Sequence, residues 1–208
     1  MKNMLNVFAA AVLFVTFSCI YAYAEEPVVE EQPATEKTSS KPKNIQGIEV
    51  LTGYSHGTLA HDGSHKVIPL IVDINFNFKN ITKKIGINPP SMIVFQLEPF
   101  FNNAFEPGWN MELGTAFAFK AGLVPETWKL QPYVKLGAGM LYENLHTPHQ
   151  ATGFNFIEFG GCGMHYFIKK NIALTIEGRI RHMSNASIRD PNHGINSYSG
   201  MAGILYNF

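Results

Sequence analysis

The stretch Ile68-Pro69-Leu70-Ile71-Val72-Asp73-Ile74-Asn75-Phe76-Asn77-Phe78 decides the fold. Ile68, Leu70, Val72, Ile74, Phe76 and Phe78 fall on every second position, and Asp73, Asn75 and Asn77 lie between them. A period of two marks a β-strand with unlike faces, because successive side chains point to opposite sides of a sheet. The pattern repeats downstream. Ile93, Phe95, Leu97 and Phe101 oppose Gln96, Glu98 and Asn102. Met111, Leu113, Phe117 and Phe119 oppose Asn110, Glu112 and Lys120. Val134, Leu136, Ala138, Met140 and Tyr142 oppose Lys135, Gly137 and Gly139. Ile172, Leu174, Ile176 and Ile180 oppose Thr175, Glu177, Arg179 and Arg181. Less regular stretches at 45–56, 153–168 and 194–208 complete a set of eight.

Each segment has roughly the ten residues that a tilted strand needs to cross a bilayer. Aromatic residues gather near segment ends, among them Tyr54, Phe78, Phe101, Phe105, Trp109, Trp128, Tyr142, Phe154, Tyr198 and Tyr206. Interfacial girdles have this character. A soluble barrel or sandwich would give the same alternation. The charged fraction of 15%, the aromatic belts and the terminal Phe208, which resembles the last residue of bacterial outer-membrane barrels, favour the membrane. The expected fold is all-β: an eight-stranded antiparallel transmembrane outer-membrane β-barrel over residues 45–208. Its interior is only wide enough for its own side chains. Glu177, Arg179 and Arg181, with Glu112, Glu98, Asp73 and Lys135, would fill and cross-link it, so function belongs on the outer wall or in the loops rather than in a pore. With a periplasmic N-terminus, links 56–65 and 143–152 lie outside the cell and the tight turn Lys169-Lys170-Asn171 lies inside.

The chain begins like an exported protein. Lys2 precedes an apolar run from Leu5 to Ile20, and Ala22-Tyr23-Ala24 is a small-x-small cleavage site. Residues 1–24 therefore read as a signal peptide; the rival, a retained anchor, has a run short for a spanning helix. Cleavage would remove Cys19 and leave Cys162 alone, excluding an internal disulfide. Residues 25–44, with Glu25, Glu26, Glu30, Glu31, Glu36 and three prolines, hold too few apolar side chains for a core and read as a disordered periplasmic tether. The 16 basic and 16 acidic side chains cancel, so no basic surplus points to nucleic acid. His56, His61, His65, His146 and His149 lack a recognised ligand spacing and read as solvated loop histidines; no metal site is expected.

In the seventh segment the apolar positions continue into His182 and Ser184. If that face meets lipid, both residues meet lipid, where strongly polar groups are costly and therefore functional candidates. A serine hydroxyl becomes a nucleophile when a base takes its proton, and histidine is the usual base. The base needs a third group to fix its tautomer. In the eighth segment Asn196, on the outward face with Tyr198, Ala202, Ile204 and Tyr206, would stand beside His182. Asn185 follows the serine, and its amide could donate to a developing oxyanion.

The motif His182-Met183-Ser184-Asn185-Ala186-Ser187-Ile188, followed by Pro191-Asn192-His193-Gly194-Ile195, resembles the signature of the PagL-type lipid A 3-O-deacylases, also called acyloxyacyl-hydrolase-like proteins. The resemblance covers roughly 181–196 in motif and 45–208 in plan. It implies an outer-membrane esterase that removes the ester-linked acyl chain at the 3-position of lipid A in lipopolysaccharide, with no cofactor. It implies His182 as base, Ser184 as nucleophile and Asn185 as an oxyanion contributor. The family's third member is a glutamate; this chain has Asn196 there. Either Asn196 orients the histidine, or Asp190 in the loop supplies the acid, or the chain is a weak or inactive homologue with a structural or adhesive role. Acyl chains would lie along Ile176, Ile180, Tyr198 and Ile204. A homodimer is permitted by the resemblance and demanded by nothing in the chain.

Overall fold

The computed structural model describes residues 45–59, 63–148 and 150–208. The expected signal peptide and tether lie outside the described residues, as do His61 and His149. Eight strands follow one another: β1 (Ile45–Leu59), β2 (Gly63–Asn77), β3 (Ile93–Glu106), β4 (Asn110–Gly122), β5 (Leu130–Glu143), β6 (Gly153–Lys169), β7 (Ile172–Ser184) and β8 (Ile195–Asn207). Each pairs antiparallel with its neighbours in sequence, and β8 closes on β1. Closure leaves no strand edge unpaired, which is the condition for crossing lipid with strands. The link between β2 and β3 carries a single helical turn, α1 (Lys79–Thr82), continued by a 3-10 turn over Lys83–Ile85.

The first long outer link expected at 56–65 is mostly strand. Leu59 pairs with Gly63, and His56 with Lys66. Polar residues signalled a loop, but a strand continuing beyond the apolar layer needs no apolar face. His65 accordingly sits inside the barrel, fully buried, with Nε2 3.3 Å from Glu112 Oε1. It is not a solvated loop residue.

The lumen is filled by the charged side chains that the alternation turned inward. Near the end where β1 begins and β8 finishes, Lys120 Nζ donates to Glu49 Oε2 at 2.6 Å and Thr175 Oγ1 donates to Glu49 Oε1 at 2.6 Å. In the middle, Lys135 Nζ donates to Asp73 Oδ2 at 2.9 Å and to Glu98 Oε2 at 2.6 Å. Arg179 bridges Glu98 and Glu177, and Tyr133 donates to Glu177 at 2.8 Å. Further along, Arg181 holds Glu112 through two nitrogens, at 2.7 and 3.2 Å. Charge-assisted bonds of this kind are strong in a water-poor interior, and all but the Arg179–Glu177 pair, which lies within β7, also tie together strands distant in sequence.

The outer wall is apolar. Ile68, Leu136, Ile176, Ile180 and Ile204 are among its exposed side chains. An aromatic cluster marks one interface on β2 to β4, with Phe95 stacked on Phe117 at 5.9 Å and Phe78 edge-on to Phe119 at 5.1 Å. The alternation on β7 carries through: Arg179 and Arg181 point into the lumen, while Ile180 points out. His182 and Ser184 continue the Ile180 face.

Candidate active site

Register places the chemistry. His182 is opposite Asn196 on β8 and opposite Glu158 on β6; Ser184, the last residue of β7, is opposite Phe156. Positions two apart on a strand repeat every 6–7 Å or so on one face, so the serine stands one step beyond the imidazole, toward the end remote from the start of β1. Both side chains are half-buried. The Ser184 hydroxyl makes no hydrogen bond among the described residues. A base–nucleophile bond often tightens only when substrate is bound.

His182 Nδ1 lies 2.7 Å from Asn196 Oδ1. A carbonyl oxygen can only accept, so with this amide orientation Nδ1 carries the proton and Nε2 presents its lone pair. That tautomer is the one a general base requires. The expected pairing of His182 with Asn196 is therefore present as a contact. Asp190 is exposed in the loop after β7, and no hydrogen bond or ion pair joins it to His182.

The loop from Asn185 to Gly194 is built rather than slack. Ile188 N–H donates to the Asn185 carbonyl at 3.0 Å, closing a turn whose central residues, Ala186 and Ser187, have φ of 51° and 62°. Non-glycine residues resist this left-handed region, at about 1–2 kcal/mol each, so the turn needs outside support. Asn185 gives much of it. Its N–H donates to Asn192 Oδ1 at 2.9 Å and its Nδ2 donates to the Arg189 carbonyl at 2.7 Å. The residue is 2% exposed, and this bond engages one of its two amide hydrogens inside the loop. The β5–β6 link clamps the same loop: Ala151 N–H donates to the Pro191 carbonyl at 2.9 Å, and Gln150 Oε1 accepts from Gly194 N–H at 3.2 Å.

Gly194, with φ of 69°, closes the site at its outer edge. A β-carbon there would meet His182 Cε1 at 2.9 Å and Nε2 at 3.3 Å. Only glycine lets the backbone come this near the ring.

Sequence reasoning passed over Glu158. It is exposed on the outward face of β6, between Phe156 and Gly160 on that face. The signal was present: one carboxylate interrupts a face that otherwise reads Phe154, Phe156, Gly160, Cys162, Met164, Tyr166 and Ile168.

A family model described as lipid A 3-O-deacylase (PagL) matches residues 93–204, which run from β3 nearly to the end of β8. The chain belongs to this family. Among solved structures, the barrel is similar to that of the outer membrane enzyme PagL. The TM-score is 0.55 at 18% identity, over 74% of this chain and 97% of that one. It is also similar to Neisserial surface protein A, with a TM-score of 0.55 at 9% identity, over 78% and 96% of the two chains. At these identities the likeness is one of fold. No curated protein matches the sequence. As a lipid A 3-O-deacylase family barrel, the protein resides in the bacterial outer membrane. The comparisons lend no support to a homodimer.

On this family barrel the wall residues expected to meet substrate are all outward and exposed: Ile176, Ile180, Tyr198 and Ile204. Ile180 is opposite Tyr198, one step below the His182–Asn196 pair. One step further, Gly178 faces Gly200 and Cys162. The three small residues open a depression of about 840 Å³ in the wall, bordered by Tyr54, Met164 and Ile176.

Proposed function

We propose that the protein hydrolyses the ester-linked acyl chain at the 3-position of lipid A, with Ser184 as nucleophile and His182 as base. His182 Nε2 takes the Ser184 Oγ proton as Oγ attacks the ester carbonyl. The tetrahedral intermediate collapses when the imidazolium returns that proton to the departing sugar oxygen, leaving an acyl group on Ser184. Water, deprotonated by His182, then attacks the acyl-enzyme and releases the fatty acid with Ser184 restored. Asn196 holds His182 in the productive tautomer. An oxyanion donor is drawn from the second amide hydrogen of Asn185.

The membrane supplies much of the positioning. A serine on the lipid-facing wall meets a lipid ester already confined to its depth, so the acyl chain can lie along Ile180, Tyr198, Ile176 and Ile204 while its ester reaches Ser184. The observation that carries this reading is the 2.7 Å contact between His182 Nδ1 and Asn196 Oδ1 on the outward wall of a lipid A 3-O-deacylase family barrel.

Mass spectrometry of lipid A from cells with and without the protein tests it. The mass of one 3-hydroxyacyl group is lost with the wild-type chain and retained with Ser184→Ala. Unchanged lipid A with a correctly assembled wild-type barrel would favour the other reading, a non-catalytic outer-membrane barrel, which the asparagine at position 196 keeps in play.

A further inference from the structure

Asn196 can fix the tautomer of His182 but brings no charge. In a serine–histidine–acid site the third group does two jobs: it orients the imidazole, and its negative charge stabilises the imidazolium. The structure assigns the first job to Asn196, and we propose that Glu158, which the register sets opposite His182 on the other neighbouring strand, performs the second. This rests on the Ser184–His182 reading above and adds a positioning residue to it.

The register row through the site reads Ala138, Glu158, His182, Asn196 and Thr58, from β5 across to β1. His182 is thus flanked on both sides, by Glu158 and by Asn196. Directly opposed residues of an antiparallel pair have β-carbons about 4.5–5.5 Å apart, within reach of a glutamate and an imidazole. The neighbours of Glu158 on the same face are Phe156, Gly160, Ala138, Leu136 and Met140, none of them ionisable. His182 is therefore the one partner in its row that can become a cation.

The other strand acids each have a purpose. Glu49, Asp73, Glu98, Glu112 and Glu177 point inward and meet Lys120, Lys135, Arg179 or Arg181. Glu143 points inward and accepts from Asn155 at 3.0 Å. Glu106 points outward but pairs with Lys66 at 2.5 Å. Among the described residues Glu158 makes no hydrogen bond and no ion pair, on a wall where an ionised side chain costs free energy. Its placement makes sense when a positive charge appears beside it, and the catalytic cycle creates one on His182. Glu158 accepts no proton in this scheme. The proton moves from Ser184 Oγ to His182 Nε2 and on to the leaving oxygen without passing through the carboxylate. Low dielectric at the lipid boundary strengthens the attraction relative to water.

Two assays on the full-length protein in detergent or nanodiscs decide it: lipid A deacylation, and the rate at which a fluorophosphonate labels Ser184. Glu158→Gln should lower kcat and the labelling rate by about tenfold or more with KM little changed, while Glu158→Asp keeps most of both. Glu158→Leu, suited to a lipid-facing wall, should behave like Glu158→Gln with the barrel folded on a heat-modifiability gel. Asn196→Asp, isosteric with the native side chain, puts a carboxylate at Nδ1; in that background Glu158→Gln should cost little. Wild-type rates in Glu158→Gln overturn the proposal, as does an equal loss in both backgrounds. If wild-type protein leaves lipid A intact yet Ser184 is labelled, the lipid A reading falls and the labelling series alone judges Glu158. If Ser184 reacts no faster than in His182→Ala, no activated serine exists and both proposals fall.

Discussion

Gly194 abuts the His182 ring so closely that a β-carbon at position 194 would lie 2.9 Å from Cε1. The contact joins the loop, pinned by Asn185, Asn192 and Gln150, to the side chain proposed as the base. Backbone geometry and ring position are therefore coupled across the outer edge of the site.

On the proposed function, Gly194→Ala should accordingly abolish most deacylation without unfolding the barrel. The added methyl group both forces φ of 69° on a residue that resists it and pushes the imidazole aside. A displacement on the order of 1 Å can cost roughly 100-fold in rate. Deacylation should fall by about that factor, while the heat-modified gel shift of the barrel stays that of wild type. Near-wild-type turnover in this variant would mean that the ring tolerates another seat.

Asn196→Ala removes the acceptor at His182 Nδ1, leaving the ring free to rotate and to populate the wrong tautomer. Loss of the correct tautomer has cost about 10⁴ in a related constellation, and a drop of between about 10² and 10⁴ is expected here. Rate measurements should place the loss in kcat, since in the proposed mechanism Asn196 holds the base rather than the substrate.

The alternation made the strands and the lumen charges readable because a membrane barrel gives its two faces opposite solvents. Asp73, Glu98, Glu112, Lys135, Glu177, Arg179 and Arg181 could be turned inward from sequence for that reason alone. Strand ends were less legible: around His56 and Lys66 the pairing outruns the apolar layer, so polarity no longer distinguishes strand from loop. The neighbourhood of His182 was half legible. Asn196 was in view because the β7–β8 hairpin is local. Glu158 was not, because its place beside His182 depends on the β6–β7 register, which the two-residue turn Lys170-Asn171 and the slip near Phe167 and Lys169 set together. The Gly194 contact depends on loop geometry that no periodicity records.

Arg179→Met tests the lumen. Arg179 donates to Glu98 and Glu177, and its loss leaves Lys135 to face both carboxylates. Breaking a buried pair by removing one partner typically costs about 3–5 kcal/mol. Urea unfolding in lipid vesicles should show a loss of that order, and Glu98→Gln in the same chain should return part of it. Because Arg179 points away from the outer wall, the fraction that folds should deacylate at the wild-type rate.

The glycine depression below the site predicts chain-length selection. In a bilayer the surrounding tails are as apolar as any groove, so the wall gains little from burying an acyl chain and must act by shape. Gly178 and Gly200 lie about four residues from His182 and Asn196 along their strands, or roughly 13 Å down the wall. A chain running down from Ser184 past Ile180 and Tyr198 reaches this depression, where longer chains can settle and shorter ones do not arrive. A β-carbon at Gly200 would meet nothing within 4 Å, so Gly200→Leu fills the depression without straining the barrel. With lipid A substrates that differ in 3-acyl length, kcat/KM for the longer chains should fall several-fold relative to the shorter ones. Leu97→Phe, on the outward face of β3 and not among the residues lining the depression, should leave that ratio unchanged. An unaltered ratio in Gly200→Leu would place the acyl chain elsewhere on the wall.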